Sequence, residues 1–244
     1  VIKENIEEKI DAAENSAPKK AKVKDLSNKN IDTKKIENSA MSADSIPEIP
    51  SSIDKVQEEF IKIFNKEIKR PGMDKLVDYL VNKSDFFIAP ASTRFHLSEE
   101  GGLARHSLNV YYRLKMLVAN EKFDIRTHIS QENIAICGLL HDVCKANYYI
   151  KDLRNVKKGG QWTKEPFYKV DEKFPYGHGE KSVFIISQYM NITANEAMAI
   201  NWHMGPYDDR VARSFGRLGD VFEKFPLALL THIADLEATY MDEV

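Results

Sequence analysis

The sequence predicts an all-α helical bundle carrying one small β-hairpin or flap, preceded by a disordered leader. Three observations carry that prediction. From Ser52 onward apolar residues recur at helical spacing. Residues 146–176 break this rhythm, with aromatics and cations interleaved around Gly159-Gly160. Residues 1–50 hold no aromatic at all, the first being Phe60.

Composition bounds the rest. With 244 residues, 43% of them apolar, the chain can bury a substantial core, as one large domain or a domain with an appendage. A formal net charge of −2 argues against a generally basic nucleic-acid binder and leaves room for a local patch. Cys137 and Cys144, if on one helix, have Cα atoms about 10 Å apart, too far for a disulfide. That fits a reducing, cytoplasmic setting. No apolar run approaches the roughly 18 to 20 residues of a membrane helix, and no signal-peptide pattern opens the chain. The chain begins with Val1 rather than Met, as a fragment would.

Residues 1–50 are dominated by Lys, Glu, Asp, Asn, Ser and Ala, a composition that cannot bury enough apolar surface to offset its ordering entropy. Ile2, Ile6 and Ile10 share helical spacing, which allows a short isolated or partner-bound helix. Pro47 and Pro50 mark the boundary with a folded domain over 51–244.

In that domain Val56, Phe60, Ile63 and Phe64 make the apolar face of a helix ending before Pro71-Gly72, and a short helix follows from Met73 to Asn82. Phe86 to Pro90 is a brief apolar, extended stretch leading into a polar segment, Ala91 to Glu100, that holds Arg94 and His96. Gly101-Gly102 launches a helix through about Asn120, with His106 on the inward stripe of Val110, Leu114 and Leu117. The next helix, Glu132 to about Lys145, sets Ile134, Cys137 and Gly138 on the stripe of His141. Gly138 leaves room for another backbone or a ligand. Neighbours on a helix lie about 100° apart, so His141 and Asp142 can share one cavity rim. Alone, that pair more often means a satisfied core histidine beside a solvated or capping carboxylate. Lys145 shares their face, where it can meet a phosphate or stand as a solvated lysine at a helix end.

In the 146–176 stretch, rings such as Tyr148, Trp162 and Tyr168 alternate with cations including Lys157 and Lys158. Rings that stack on bases beside cations that track phosphates suit a nucleotide or single-stranded nucleic acid; an amphipathic hairpin covering the core has the same pattern. His178 stands between two glycines at the entrance of a helix with Val183, Phe184, Ser187 and Met190 on one side. Thr193 and Glu196 form a capping-box pattern for a helix that ends near His203, before Gly205-Pro206. A last helix, Phe225 to Asp242, has Leu229, Ile233, Leu236 and Tyr240 as its apolar face and Thr231, His232, Asp235 and Thr239 as a polar stripe.

His106, His141-Asp142, His178, His203 and Asp235 thus lie on five helices or helix entrances, which a bundle can bring to one cavity as ligands of two metal ions. In this order the chain resembles the HD-domain metal-dependent phosphohydrolase superfamily, over roughly residues 52–242. Phe86-Phe-Ile-Ala-Pro-Ala-Ser92, Gly101-Gly-Leu-Ala-Arg-His-Ser-Leu108 and His232-Ile-Ala-Asp-Leu-Glu-Ala238 are similar to the HD domain of bacterial 3′–5′ exoribonucleases. Their preceding OB-fold is not evident in residues 1–50, and the Gly-Tyr-Pro signature of the cyclic-dinucleotide branch is absent.

The resemblance implies an HD-domain helical bundle in which His106, His141, Asp142 and Asp235 hold one metal, and Asp142 bridges to a second held by His178 and His203. Mixed His and carboxylate ligation suits Mn or Fe, with Ni, Co or Mg as substitutes. Asp142 and Lys145 are the expected catalytic residues, and Arg94, His96, Lys145, Lys157, Lys158 and His232 the expected substrate contacts. The expected activity is hydrolysis of phosphoester bonds in nucleotides or short oligonucleotides, with a 3′–5′ exonuclease subunit acting on single strands, or a non-catalytic nucleotide or metal sensor, as alternatives.

Overall fold

The computed structural model describes residues 46–211 and 217–243. The leader up to residue 45, with its Ile2, Ile6 and Ile10 spacing, lies outside the described residues. Residues 46–50 have no regular structure, yet Ile46 and Ile49 pack against the core, so the folded part takes in the end of the leader.

Nine α-helices and one β-hairpin are formed among the described residues. Helix α1 (Ile53–Glu67) buries Val56, Phe60, Ile63 and Phe64, the stripe its apolar spacing predicts. Helix α2 (Met73–Asp78) runs on into a π-helical turn, Tyr79–Lys83. The long α3 (Gly102–Asn120) and short α4 (Phe123–Thr127) precede α5 (Gln131–Leu140), which Ser130 and Asn133 start with a capping box. The hairpin β1 (Tyr149–Lys158) and β2 (Gln161–Val170) follows. Then come α6 (His178–Ser187), α7 (Ala194–Asn201), α8 (Arg217–Lys224) and α9 (Pro226–Glu237), the last extended by a π-helical turn over Ala238–Asp242. Helices α3, α5 and α9 pack on one another at the centre, with α1 and α7 against them.

Close approach of α3 and α5 depends on Gly138. A Cβ there would stand 2.5 Å from the Cα of Tyr111, so the room expected beside the site is taken by the backbone of α3. The hairpin turn is equally specific: Gly159 and Gly160, with φ of +57° and +88°, join the strands by the two-residue turn whose twist suits a hairpin. Thr193 and Glu196 form the expected capping box of α7.

Four local expectations are corrected. Phe86 to Ala89 is a helical turn, not extended, because the amides of Ile88 and Ala89 both donate to the carbonyl of Asp85. Helix α5 ends at Leu140 rather than near Lys145: Asp142 leaves helical geometry (φ −105°, ψ 17°), and Val143–Lys145 tightens into a 3₁₀ turn whose Cys144 amide donates to Ser182 Oγ. Phe184, expected on one side of α6 with core residues, is exposed and clusters with Phe174 and Tyr176. In α9 the faces are reversed, with Thr231, His232 and Ala234 buried and Leu229 and Tyr240 exposed. The polar stripe turns inward because it has partners there: Thr231 donates to the Leu227 carbonyl and His232 to that of His203.

Candidate metal centre

Three helices deliver three imidazoles to one buried point. His106 comes from the second turn of α3, His141 from the C-cap of α5 and His203 from just beyond α7, and all three are buried. In each ring Nδ1 is already engaged: that of His141 lies 2.9 Å from the Gly138 carbonyl and that of His203 2.7 Å from the Ile200 carbonyl. A carbonyl only accepts, so both Nδ1 atoms carry the proton and both Nε2 atoms present a lone pair. His106 Nδ1 meets the Glu243 carboxylate at 3.0 Å, which fixes the same tautomer. Tautomers locked from behind are the outer-shell arrangement of metal-ligating histidines.

The three lone pairs face acceptors. His106 Nε2 lies 3.2 Å from His141 Nε2 and 3.1 Å from Asp235 Oδ1. His203 Nε2 is buried without a hydrogen-bond partner, 3.4 Å from Asp142 Oδ1. Such a set of acceptors needs a cation among them, and borderline nitrogen with hard carboxylate oxygen is the donor chemistry of divalent transition metals. The residues therefore fit a metal. The trios His106–His141–Asp235 and His141–Asp142–His203 each bring ligand atoms within 4.8 Å of one another. A third trio, Asp142–Cys144–His178, does so at the other edge.

Asp142 is the hub. Its carboxylate lies 2.8 Å from His178 Nε2, 3.5 Å from His141 Nε2, 3.7 Å from His106 Nε2 and 2.6 Å from Lys145 Nζ. The departure from helix at Asp142 is what puts it there, one residue after His141 yet turned toward α6.

The electrostatics repeat the demand for positive charge. Burial opposes a proton on His106, but Glu243 and Asp235 outweigh it and raise its pKa to about 10, so its Nε2 lone pair takes up a cation, either a proton or a metal. Burial likewise opposes charge on His178, while Cys144 and Asp142 lift it to about 10. Against burial, Lys145 and His141 hold the Asp142 carboxyl well below the usual range, and His106 does the same for Asp235. Partial burial, and then the neighbouring His106, push half-buried His96 down to about 4.

The cluster opens on a cleft of about 660 Å³ lined by His106, Asp142, Lys145 and Asp235, with His96 and Glu243 beside them. Its walls are aromatic and exposed: Phe95 (73%), Tyr207 (65%) and Tyr240 (64%).

All six residues expected as ligands, His106, His141, Asp142, His178, His203 and Asp235, are thus brought together. Of the expected substrate contacts, Lys145 and His96 line the cleft and the others do not. The Arg94 guanidinium lies over the Phe95 ring at 5.2 Å. Lys157 and Lys158 sit at the hairpin tip, Lys158 in an ion pair with Glu165. His232 is buried behind the site, supporting the carbonyl of His203. Sequence reasoning missed Glu243, Cys144 and the cleft aromatics; Glu243 carries no motif, and its only signal is an acid one helical turn beyond the Asp235 stripe.

The HD-domain family matches residues 103–240, an interval that contains every one of the six clustered candidate ligands. No curated protein and no solved structure matches the chain. No helix among the described residues is long and apolar enough to cross a membrane. More than half of the sequence falls within the match, and the chain belongs to the HD-domain family of metal-dependent phosphohydrolases.

Proposed function

We propose that this chain is a binuclear phosphohydrolase cleaving phosphoester bonds of nucleotides or short oligonucleotides. The observation that carries the reading is Asp142, one carboxylate touching histidines on both of its sides and a lysine at 2.6 Å, at the floor of an aromatic-walled cleft. His106, His141, Asp142 and Asp235 would hold one ion, and Asp142, His178 and His203 a second. Divalent ions in those positions, Mn or Fe by donor chemistry, supply Lewis-acid activation of water and of the phosphoryl group.

The chain's own residues do the rest. Lys145 presents a cation to the non-bridging phosphoryl oxygens, where charge accumulates during displacement. Its ammonium is held charged, against burial, by Asp142. Phe95, Tyr207 and Tyr240 offer faces on which a nucleobase stacks. His96, neutral and with its Nε2 unpaired, offers a hydrogen-bonding nitrogen at the cleft wall. The test is a screen of purified, metal-replete protein against bis-p-nitrophenyl phosphate, p-nitrophenyl phosphate and a nucleotide panel beside Asp142→Ala. Turnover abolished by the substitution is expected; identical behaviour of the two proteins overturns the reading.

A further inference from the structure

One element takes no part in the cleft chemistry, the β1–β2 ribbon, and its register sorts the side chains onto two unlike faces. On one face Lys151, Lys157 and Lys164 alternate with Leu153, Trp162 and Tyr168, and no carboxylate is present. The ribbon's two acids, Asp152 and Glu165, lie on the other face, where they pair with Lys169 and Lys158. Lys157 and Lys164 have no acidic partner among the described residues, and Lys151 reaches only Glu100 at 3.5 Å, 5.9 Å above the Tyr168 ring. Trp162 is 71% and Leu153 58% exposed. The base of the ribbon is anchored near the cleft: the Tyr149 hydroxyl, four residues after Lys145, lies 3.5 Å from the carbonyl of Ala91, four residues before the cleft-lining Phe95.

An exposed indole set among lysines, with the acids segregated to the far side, suits a polyanion that has free π-faces to stack. A duplex hides its base faces, whereas a single strand offers them. A second copy of the chain in a symmetric pairing would set the same lysines against each other. We propose that this face of the hairpin is a track for single-stranded nucleic acid, leading a strand toward the metal cluster. This rests on the phosphoester reading of the cleft for the direction of the strand, and it narrows the substrate class from nucleotides at large to single strands.

The test uses the full chain as purified and phosphorothioate single strands of about 4 to 16 nucleotides, which resist hydrolysis. Trp162 reports directly, since the other tryptophan, Trp202, is buried. Expected are quenching of Trp162 fluorescence on binding and a slope of log affinity against log salt of roughly −2, from three phosphate contacts at about 0.7 each. Trp162→Ala should weaken binding, followed by anisotropy, about five- to a hundredfold. The triple change Lys151→Ala, Lys157→Ala, Lys164→Ala should flatten the slope, while Arg154→Ala with Lys169→Ala on the opposite face should leave it intact.

Equal losses from the two faces, tighter binding of the matching duplex, or no binding at all would overturn the track. So would a change of molar mass by light scattering on substituting Trp162, which would make the face a self-association surface. Hydrolysis plays no part in these measurements. A chain that binds strands but turns over no phosphoester fails the phosphohydrolase reading and keeps the track; the reverse outcome does the opposite.

Discussion

His106 and His141 bring their Nε2 atoms to 3.2 Å although both rings already use Nδ1 elsewhere, His106 on Glu243 and His141 on the Gly138 carbonyl. Two lone pairs so placed call for a cation, and the carboxylate behind His106 sharpens the ring's basicity. Glu243→Gln is therefore expected to lower metal affinity about 10- to 100-fold without unfolding the chain. Titration with Mn, read by calorimetry beside a melting curve, checks this; unchanged affinity would remove Glu243 from the site.

Lys145→Ala should separate chemistry from metal retention. The lysine contacts Asp142 but lies in none of the histidine and carboxylate trios. Turnover of a phosphodiester reporter is expected to fall about 100- to 1,000-fold, as on loss of one preorganised donor to developing charge. Metal content by elemental analysis should stay at the wild-type value.

Away from the cleft, Glu196 is fully buried and takes both arms of the Arg70 guanidinium at 2.6 Å, the Thr193 amide at 2.7 Å and the Asn133 amide at 2.6 Å. Burial raises the carboxyl pKa, and these donors more than reverse it, leaving it below its ordinary value. A depressed folded-state pKa contributes stability that is present above the unfolded value of about 4.3 and disappears as pH falls through the folded one. Arg70→Ala is expected to cost about 3 to 5 kcal/mol at pH 7 by stranding that charge. Urea melts at pH 7 and pH 3.5 should show the gap from wild type narrowing in acid.

Gly138→Ala tests the helix crossing. The added methyl meets backbone of α3 rather than a movable side chain, so α3 and α5 must separate, at about 1 to 3 kcal/mol. His141 accepts its orientation from the Gly138 carbonyl, so metal should be lost along with thermal stability. A variant that melts lower yet keeps full metal content would uncouple the crossing from the site.

The fold was legible in the sequence wherever one residue type has a single structural use. The paired glycines at 159–160 announce the hairpin turn, and Thr193 with Glu196 announces the start of α7. Periodicity found the buried stripes of α1 and α3 and placed His106 correctly. It failed on α9, where Leu229 and Tyr240 looked inward by hydrophobicity alone, while buried polar residues with partners took the core face. Propensity also could not end α5 at Leu140, because the 3₁₀ turn that follows draws on Ser182, 38 residues away. The clustering of the candidate ligands was legible because histidine and aspartate on otherwise apolar helices are costly to bury singly. Glu243 and the aromatic cleft walls were not, being defined only by where the completed fold leaves them.

The contact between His106 and Glu243 spans 137 residues of chain. Closing so long a loop costs entropy that nothing local repays, so the cluster assembles only after α3, α5 and α9 have docked. Metal capture then comes at the end of folding and acts as a lock on it. An ion bound to the finished cluster raises the cost of opening it by mass action.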